Sequence, residues 1–234
     1  MNPWLSFSLI LFVAWLLIFI FANISRKEMF WVSLFTMPLG LTEPLFVPEY
    51  WNPPSLFNLA SKTGFDIESL IFAFSIGGIA AILYEIIFKI KHCKMSKYEL
   101  HSKKHRFHSL ALISPLIIFL LLYAFTNINP IYSVIIALLI GSLATILCRP
   151  DLKKKIFVGG ALFLGIYLIF FLLMNLIYAD WTQQVWNLSA ISGILFLGIP
   201  IEELLFAFTV GMMWSSIYEH VKGYKLKKIN KNEK

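Results

Sequence analysis

Long apolar runs alternate with short polar breaks along the whole chain. The runs occupy roughly 3–25, 27–44, 67–89, 107–126, 130–148, 156–179 and 200–221. Each reaches the roughly 18 residues that a helix needs to cross a hydrocarbon layer. The pattern predicts an all-α integral membrane fold with seven transmembrane helices, a single membrane domain over 1–234. One boundary has two readings. Residues 189–199 are apolar and precede Pro200. They are expected to form an interfacial or re-entrant piece. The alternative is an early start of the last span, which would carry Glu202 and Glu203 toward the midplane. Pro200 suits the first turn of a helix, where its missing N–H is not needed.

One helix is written twice. Residues 68–85 read E-S-L-I-F-A-F-S-I-G-G-I-A-A-I-L-Y-E, and residues 202–219 read E-E-L-L-F-A-F-T-V-G-M-M-W-S-S-I-Y-E. At a constant offset of 134, eight of eighteen positions are identical, including Glu68/Glu202, Tyr84/Tyr218 and Glu85/Glu219. The offset maps span 3 onto span 7, span 2 onto span 6 and span 1 roughly onto span 5. The expected plan is 3+1+3: a first three-span repeat over 1–90, a basic loop and linker span over 91–129, a second repeat over 130–222, and a basic tail over 223–234. An odd linker makes the repeats parallel.

Composition removes the soluble alternatives. The chain is 59% hydrophobic and 14% charged, with a mean hydropathy of +0.76. Its net charge of +7 is not a nucleic-acid footprint, because 19 of 20 Lys and Arg fall in loops on one side of the seven-span plan. Only Lys62 lies opposite. The positive-inside rule then puts the N-terminus outside and the C-terminus in the cytoplasm of a multi-pass cell-membrane protein. The first span lacks a basic leader segment and is followed by Arg26 and Lys27, unlike a signal peptide. Cys93 and Cys148 suggest neither a disulfide framework nor a metal quartet.

Candidate chemistry rests on carboxylates. Glu202 and Glu203 follow Pro200 at a helix start, where the dipole stabilises acids. Two adjacent acids beside a long apolar run are also costly to desolvate, and intramembrane acids commonly mark function. Glu68 repeats Glu202, but Asp66 and Ser69 stand where the second copy has Pro200 and Glu203. Glu43 ends span 2, where dipole logic disfavours it. It either pairs with Lys62 or sits within the bundle. Glu85 and Glu219 are expected to anchor the inner ends, Glu85 with Lys89 four residues on. Glu202, Phe206, Thr209 and Met213 share one helical face, as do Glu68, Phe72, Ser75 and Ile79. Phe72 and Phe206 serve as packing or as an aromatic wall for a cation. The Pro- and aromatic-rich segment 43–66, with Trp51, is placed to cover the outer mouth.

Cofactor chemistry finds no support. There is no GxGxxG, no Asp-rich pair for a metal diphosphate, and no central lysine in the last span for a retinal Schiff base. Five histidines are too few for di-iron histidine boxes. His92, His101, His105 and His108 fit a solvated basic loop better than a zinc site with Cys93. No metal and no cofactor are expected.

Three stretches resemble the lycopene cyclase domain family, the non-flavin, membrane-embedded type: E-P-L-F-V-P-E-Y-W-N-P-P at 43–54, F-D-I-E-S at 65–69 and P-I-E-E-L-L-F at 200–206. The two-halves-plus-linker plan looks like the fused form of that family. The resemblance implies Pro200, Glu202 and Glu203 as motif positions, degenerate in the first half. It also implies a lycopene β-cyclase. A linear carotenoid is protonated at its terminal double bond, the next alkene closes a six-membered ring, and proton loss leaves a β-ionone end. The reading makes Glu202 or Glu203 the acid, with Glu43 or Glu68 completing the relay, and Phe72, Phe206, Trp51 and Pro200 against the substrate. The implied partners are a polyene drawn from the bilayer, membrane lipid and other carotenoid-pathway enzymes. The rival readings are a small-solute carrier of 3+1+3 type and a non-catalytic carotenoid-binding subunit. A carrier needs midplane polar groups, and the spans offer little beyond Ser33, Thr36 and Asn175.

Overall fold

A computed structural model describes residues 2–100 and 107–228. His101, His105 and the tail from 229 onward lie outside the described residues. Helices form at all seven expected places: α1 (Pro3–Phe21), α2 (Arg26–Thr36), α3 (Ile67–Phe88), α4 (His108–Phe125), α5 (Pro130–Cys148), α6 (Lys153–Ile177) and α7 (Ile201–Lys222). Their starts follow local chemistry. Asn2, Asp66 and Asn129 each turn a side-chain oxygen onto a first-turn N–H, and Pro3 and Pro130 occupy the first helical position.

Five of these helices, α1, α3, α4, α5 and α6, are long and apolar enough to cross a membrane. The other two fall short for different reasons. α2 is only 11 residues long and then tightens into a 3-10 segment, Met37–Leu45, interrupted by Pro38, Gly40 and Pro44. That tightening brings Gly40 so close to α3 that a Cβ would lie 2.6 Å from the Ser69 backbone. α7 is long enough, but Glu202, Glu203, Glu219 and His220 dilute its apolar length.

Packing centres on α3 and α7. α3 lies against α1 and α2, α7 lies against α5 and α6, and α3 and α7 touch each other. Small residues let α6 and α7 cross closely: a Cβ on Gly211 would stand 2.7 Å from the Phe163 Cβ and 2.9 Å from the Gly160 Cα. α4 packs chiefly on α5.

The structure adds short strands to an expected all-α plan. β1 (Ile90–Lys94) pairs antiparallel with β4 (Tyr224–Lys228), each entered through a left-handed residue, Lys89 and Gly223. The offset of 134 makes Lys89 and Gly223 counterparts. It also makes His92 and Leu226 counterparts, and these two face each other in the ladder. Pairing of equivalent residues is what a two-fold axis through the ladder produces. A minimal hairpin, β2 (Leu195–Phe196) with β3 (Ile199–Pro200), lies within 189–200, so α7 does not begin early. Pro200 precedes the first turn as its N-cap.

Candidate functional site

A cavity of about 460 Å³ lies between the two halves, walled by parts of every long helix and by the Pro-aromatic loop. Its walls are almost entirely apolar and aromatic. Two carboxylates reach it, Glu203 and Glu43.

Glu203 is the better-held group. Its Oε1 accepts from the Tyr50 hydroxyl at 2.5 Å and from Trp186 Nε1 at 2.9 Å, and its Oε2 accepts from the Tyr167 hydroxyl at 2.5 Å. Three donors thus converge on one buried carboxylate and fix its orientation. Burial first, and then the Glu203 charge, push the Tyr50 phenol well above its usual range, so it stays a donor. Glu43 is buried, and its Oε2 accepts from the Ser69 hydroxyl at 2.6 Å. The buried Asp66 carboxyl lies within hydrogen-bond reach of Glu43. Of the two placements open for Glu43, the structure has the bundle and not the Lys62 pair.

The repeated glutamates point elsewhere. Glu202 Oε1 accepts from the Ser192 backbone N–H at 3.0 Å and from the Tyr132 hydroxyl at 2.7 Å. Glu68 Oε1 accepts from the Leu56 backbone N–H at 2.6 Å and from Asn2 Nδ2 at 3.2 Å. Both acids therefore pin the loop that precedes their helix, and neither lines the cavity. A one-residue step turns a helix by roughly 100°, so Glu203 faces inward where Glu202 faces the loop. In the first copy the inward position is Ser69, which instead holds Glu43.

Phe72, Phe206 and Trp51 line the cavity, whereas Pro200 does not. Trp51 packs edge-on against Trp4, at 4.5 Å between ring centroids. The loops close over this end. Asn52 N–H donates to Val185 O at 2.7 Å, and Asn187 N–H donates to Tyr50 O at 2.9 Å. Tyr167 and Trp186 were not anticipated from the sequence. The signal for Tyr167 was a lone hydroxyl within an apolar span.

The opposite end holds a second polar cluster. Lys155, fully buried, donates to Glu85 and Glu219, and Glu28 stands 3.9 Å from its Nζ. His92 Nε2 from β1 lies 2.8 Å from Glu219 Oε1. The expected Glu85–Lys89 pair is corrected: Lys89 takes a left-handed cap conformation and is exposed, and Lys155 supplies the counter-charge. The anchoring role expected of Glu85 and Glu219 remains, but it joins α2, α3, α6 and α7 rather than one helix. Among the described residues, two groups bring three or more metal-ligating atoms within 4.8 Å of one another: Glu28, Glu85, His92 and Glu219, and His108, Cys148 and His220. The Lys155 ammonium already lies among the carboxylates of the first group.

Fold and site together describe a membrane-associated helical protein with an apolar cavity reached by two carboxylates. Residues 129–221 match the family model described as Lycopene cyclase, which supports a lycopene cyclase domain over this stretch. It contains α5, α6 and α7, and with them Tyr167, Trp186 and Glu203. No curated protein and no solved structure matches the chain. The domain supports a carotenoid cyclase role.

Proposed function

We propose that the chain is a lycopene β-cyclase that closes ψ ends of a linear carotenoid by proton-initiated isomerisation. The observation that carries the reading is the pairing of Glu203 with Glu43 in an otherwise apolar cavity, on a chain with a lycopene cyclase domain. Glu43 delivers a proton to the terminal alkene. The tertiary cation so formed takes the electron pair of the next double bond, which makes the ring C–C bond and moves the charge onto the ring. Glu203, oriented by its hydrogen bonds from Tyr50, Tyr167 and Trp186, stabilises that charge and removes a ring proton, restoring a double bond. One proton enters and one leaves, so the reaction is an isomerisation without net redox change. Phe72, Phe206 and Trp51 wall the cation, whose charge their ring faces favour. Glu202 and Glu68 act as positioning residues that hold the loops, and Pro200 starts the helix.

The same proposal includes the seven-span, parallel 3+1+3 plan in the cell membrane, with the N-terminus outside and the C-terminus in the cytoplasm. Equivalent packing around α3 and α7 and the His92–Leu226 pairing support it. The polyene enters from the bilayer, and its unreacted end remains among lipid tails. The test is expression in a lycopene-accumulating host, with pigments separated by chromatography. Appearance of ring-bearing products supports the reading. Lycopene left unchanged while the folded chain accumulates sinks it and favours a non-catalytic carotenoid-binding subunit.

A further inference from the structure

Three metal-ligating side chains converge from three helices at the end remote from Glu203. His108 opens α4, Cys148 closes α5, and His220 lies in the last turn of α7. Cys148 and His220 are buried, and the two imidazole rings meet edge-on at 4.4 Å between centroids. The nearest donor atoms of all three fall within 4.8 Å of one another. In a tetrahedral zinc shell with ordinary Zn–N and Zn–S bonds, donors stand about 3.3–3.6 Å apart. A contraction of roughly an ångström therefore closes the set.

We propose that His108, Cys148 and His220 bind one divalent transition-metal ion of the zinc class, with water in the fourth position. Two imidazoles and a thiolate are a borderline-soft set that selects zinc over magnesium or calcium. Arg149 stands beside His108 and Cys148, and Asp151 holds it in a bidentate pair. That pairing partly neutralises the guanidinium next to the site. The location gives the ion a purpose. Ala111 is the only residue described as buried in α4, yet α4 walls the cavity with Leu112, Pro115, Leu116 and Phe119. A metal at its first residue would staple that wall to α7, the helix that carries Glu203. In the acid-rich cluster a cation is already in place, since Lys155 lies within it.

The test uses the full chain in detergent, stripped with chelator, kept reduced and titrated with Co²⁺. The expected result is one bound equivalent, with a thiolate-to-cobalt charge-transfer band and the intense visible bands of tetrahedral cobalt, both removed by Zn²⁺. Cys148→Ser abolishes the charge-transfer band and Cys93→Ser leaves it. Independently of any variant, Zn²⁺ protects Cys148 but not Cys93 from alkylation in the wild-type chain, read by mass spectrometry. Absence of the band in the wild type, its survival in Cys148→Ser, or equal alkylation of Cys148 with and without Zn²⁺ overturns the proposal. None of these readouts depends on cyclase activity.

Discussion

Glu203→Gln separates chemistry from packing more cleanly than any other change. The amide matches the carboxylate in shape, so the Tyr50 and Trp186 donors keep an acceptor at Oε1. Only the Tyr167 hydroxyl must turn from donor to acceptor, which costs about 1 kcal/mol. The charge that steadies the cation and takes the proton is lost. General acid–base groups contribute about 10²–10⁴-fold, or roughly 3–5 kcal/mol of barrier. Glu203→Ala would confound the two effects, because it strands three buried donors at about 1–3 kcal/mol each. The assay is the initial rate of ring formation in membranes of a lycopene-accumulating host, normalised to folded protein by gel filtration. A rate within threefold of wild type, at equal folded protein, would refute the assignment of Glu203.

Glu43→Gln should lower the rate by about 10²-fold or more, while Ser69→Ala, which removes the hydrogen bond that positions Glu43, should lower it about tenfold; the same pigment assay reads both. Glu202→Gln should leave the rate within about tenfold of wild type yet weaken the hold on Ser192, seen as faster amide exchange across 186–200. Lys155→Met should cost about 3–5 kcal/mol, because it leaves Glu85 and Glu219 buried without their counter-charge, and the yield of monodisperse protein should fall; Lys155→Met with Glu219→Gln should recover part of it.

The positions of the helices were legible because apolar length is written directly into the chain, and the 134-residue repeat singled out the two helices, α3 and α7, on which the packing centres. Glu203 and Glu43 were legible as acids in an apolar setting. Which of the tandem acids faces inward was not. That depends on the docking of loops 46–54 and 186–200, where a backbone N–H claims Glu202 and leaves Glu203 to Tyr50, Tyr167 and Trp186. Lys155 read as one of a run of loop cations, since sequence cannot tell that α6 starts early enough to bury it among three acids. The β1–β4 ladder escaped notice because I-K-H-C-K and Y-K-L-K-K are short and charged, and only their symmetry-related positions bring them together.

The central claim is proton-initiated ring closure by this chain alone. Its most direct test supplies lycopene to the purified chain in liposomes equilibrated in D₂O, with products read by chromatography and mass spectrometry. The account predicts cyclic carotenoid carrying one added deuterium for each ring formed, and no such product from Glu203→Gln. Lycopene recovered unchanged from the folded wild-type chain would contradict it.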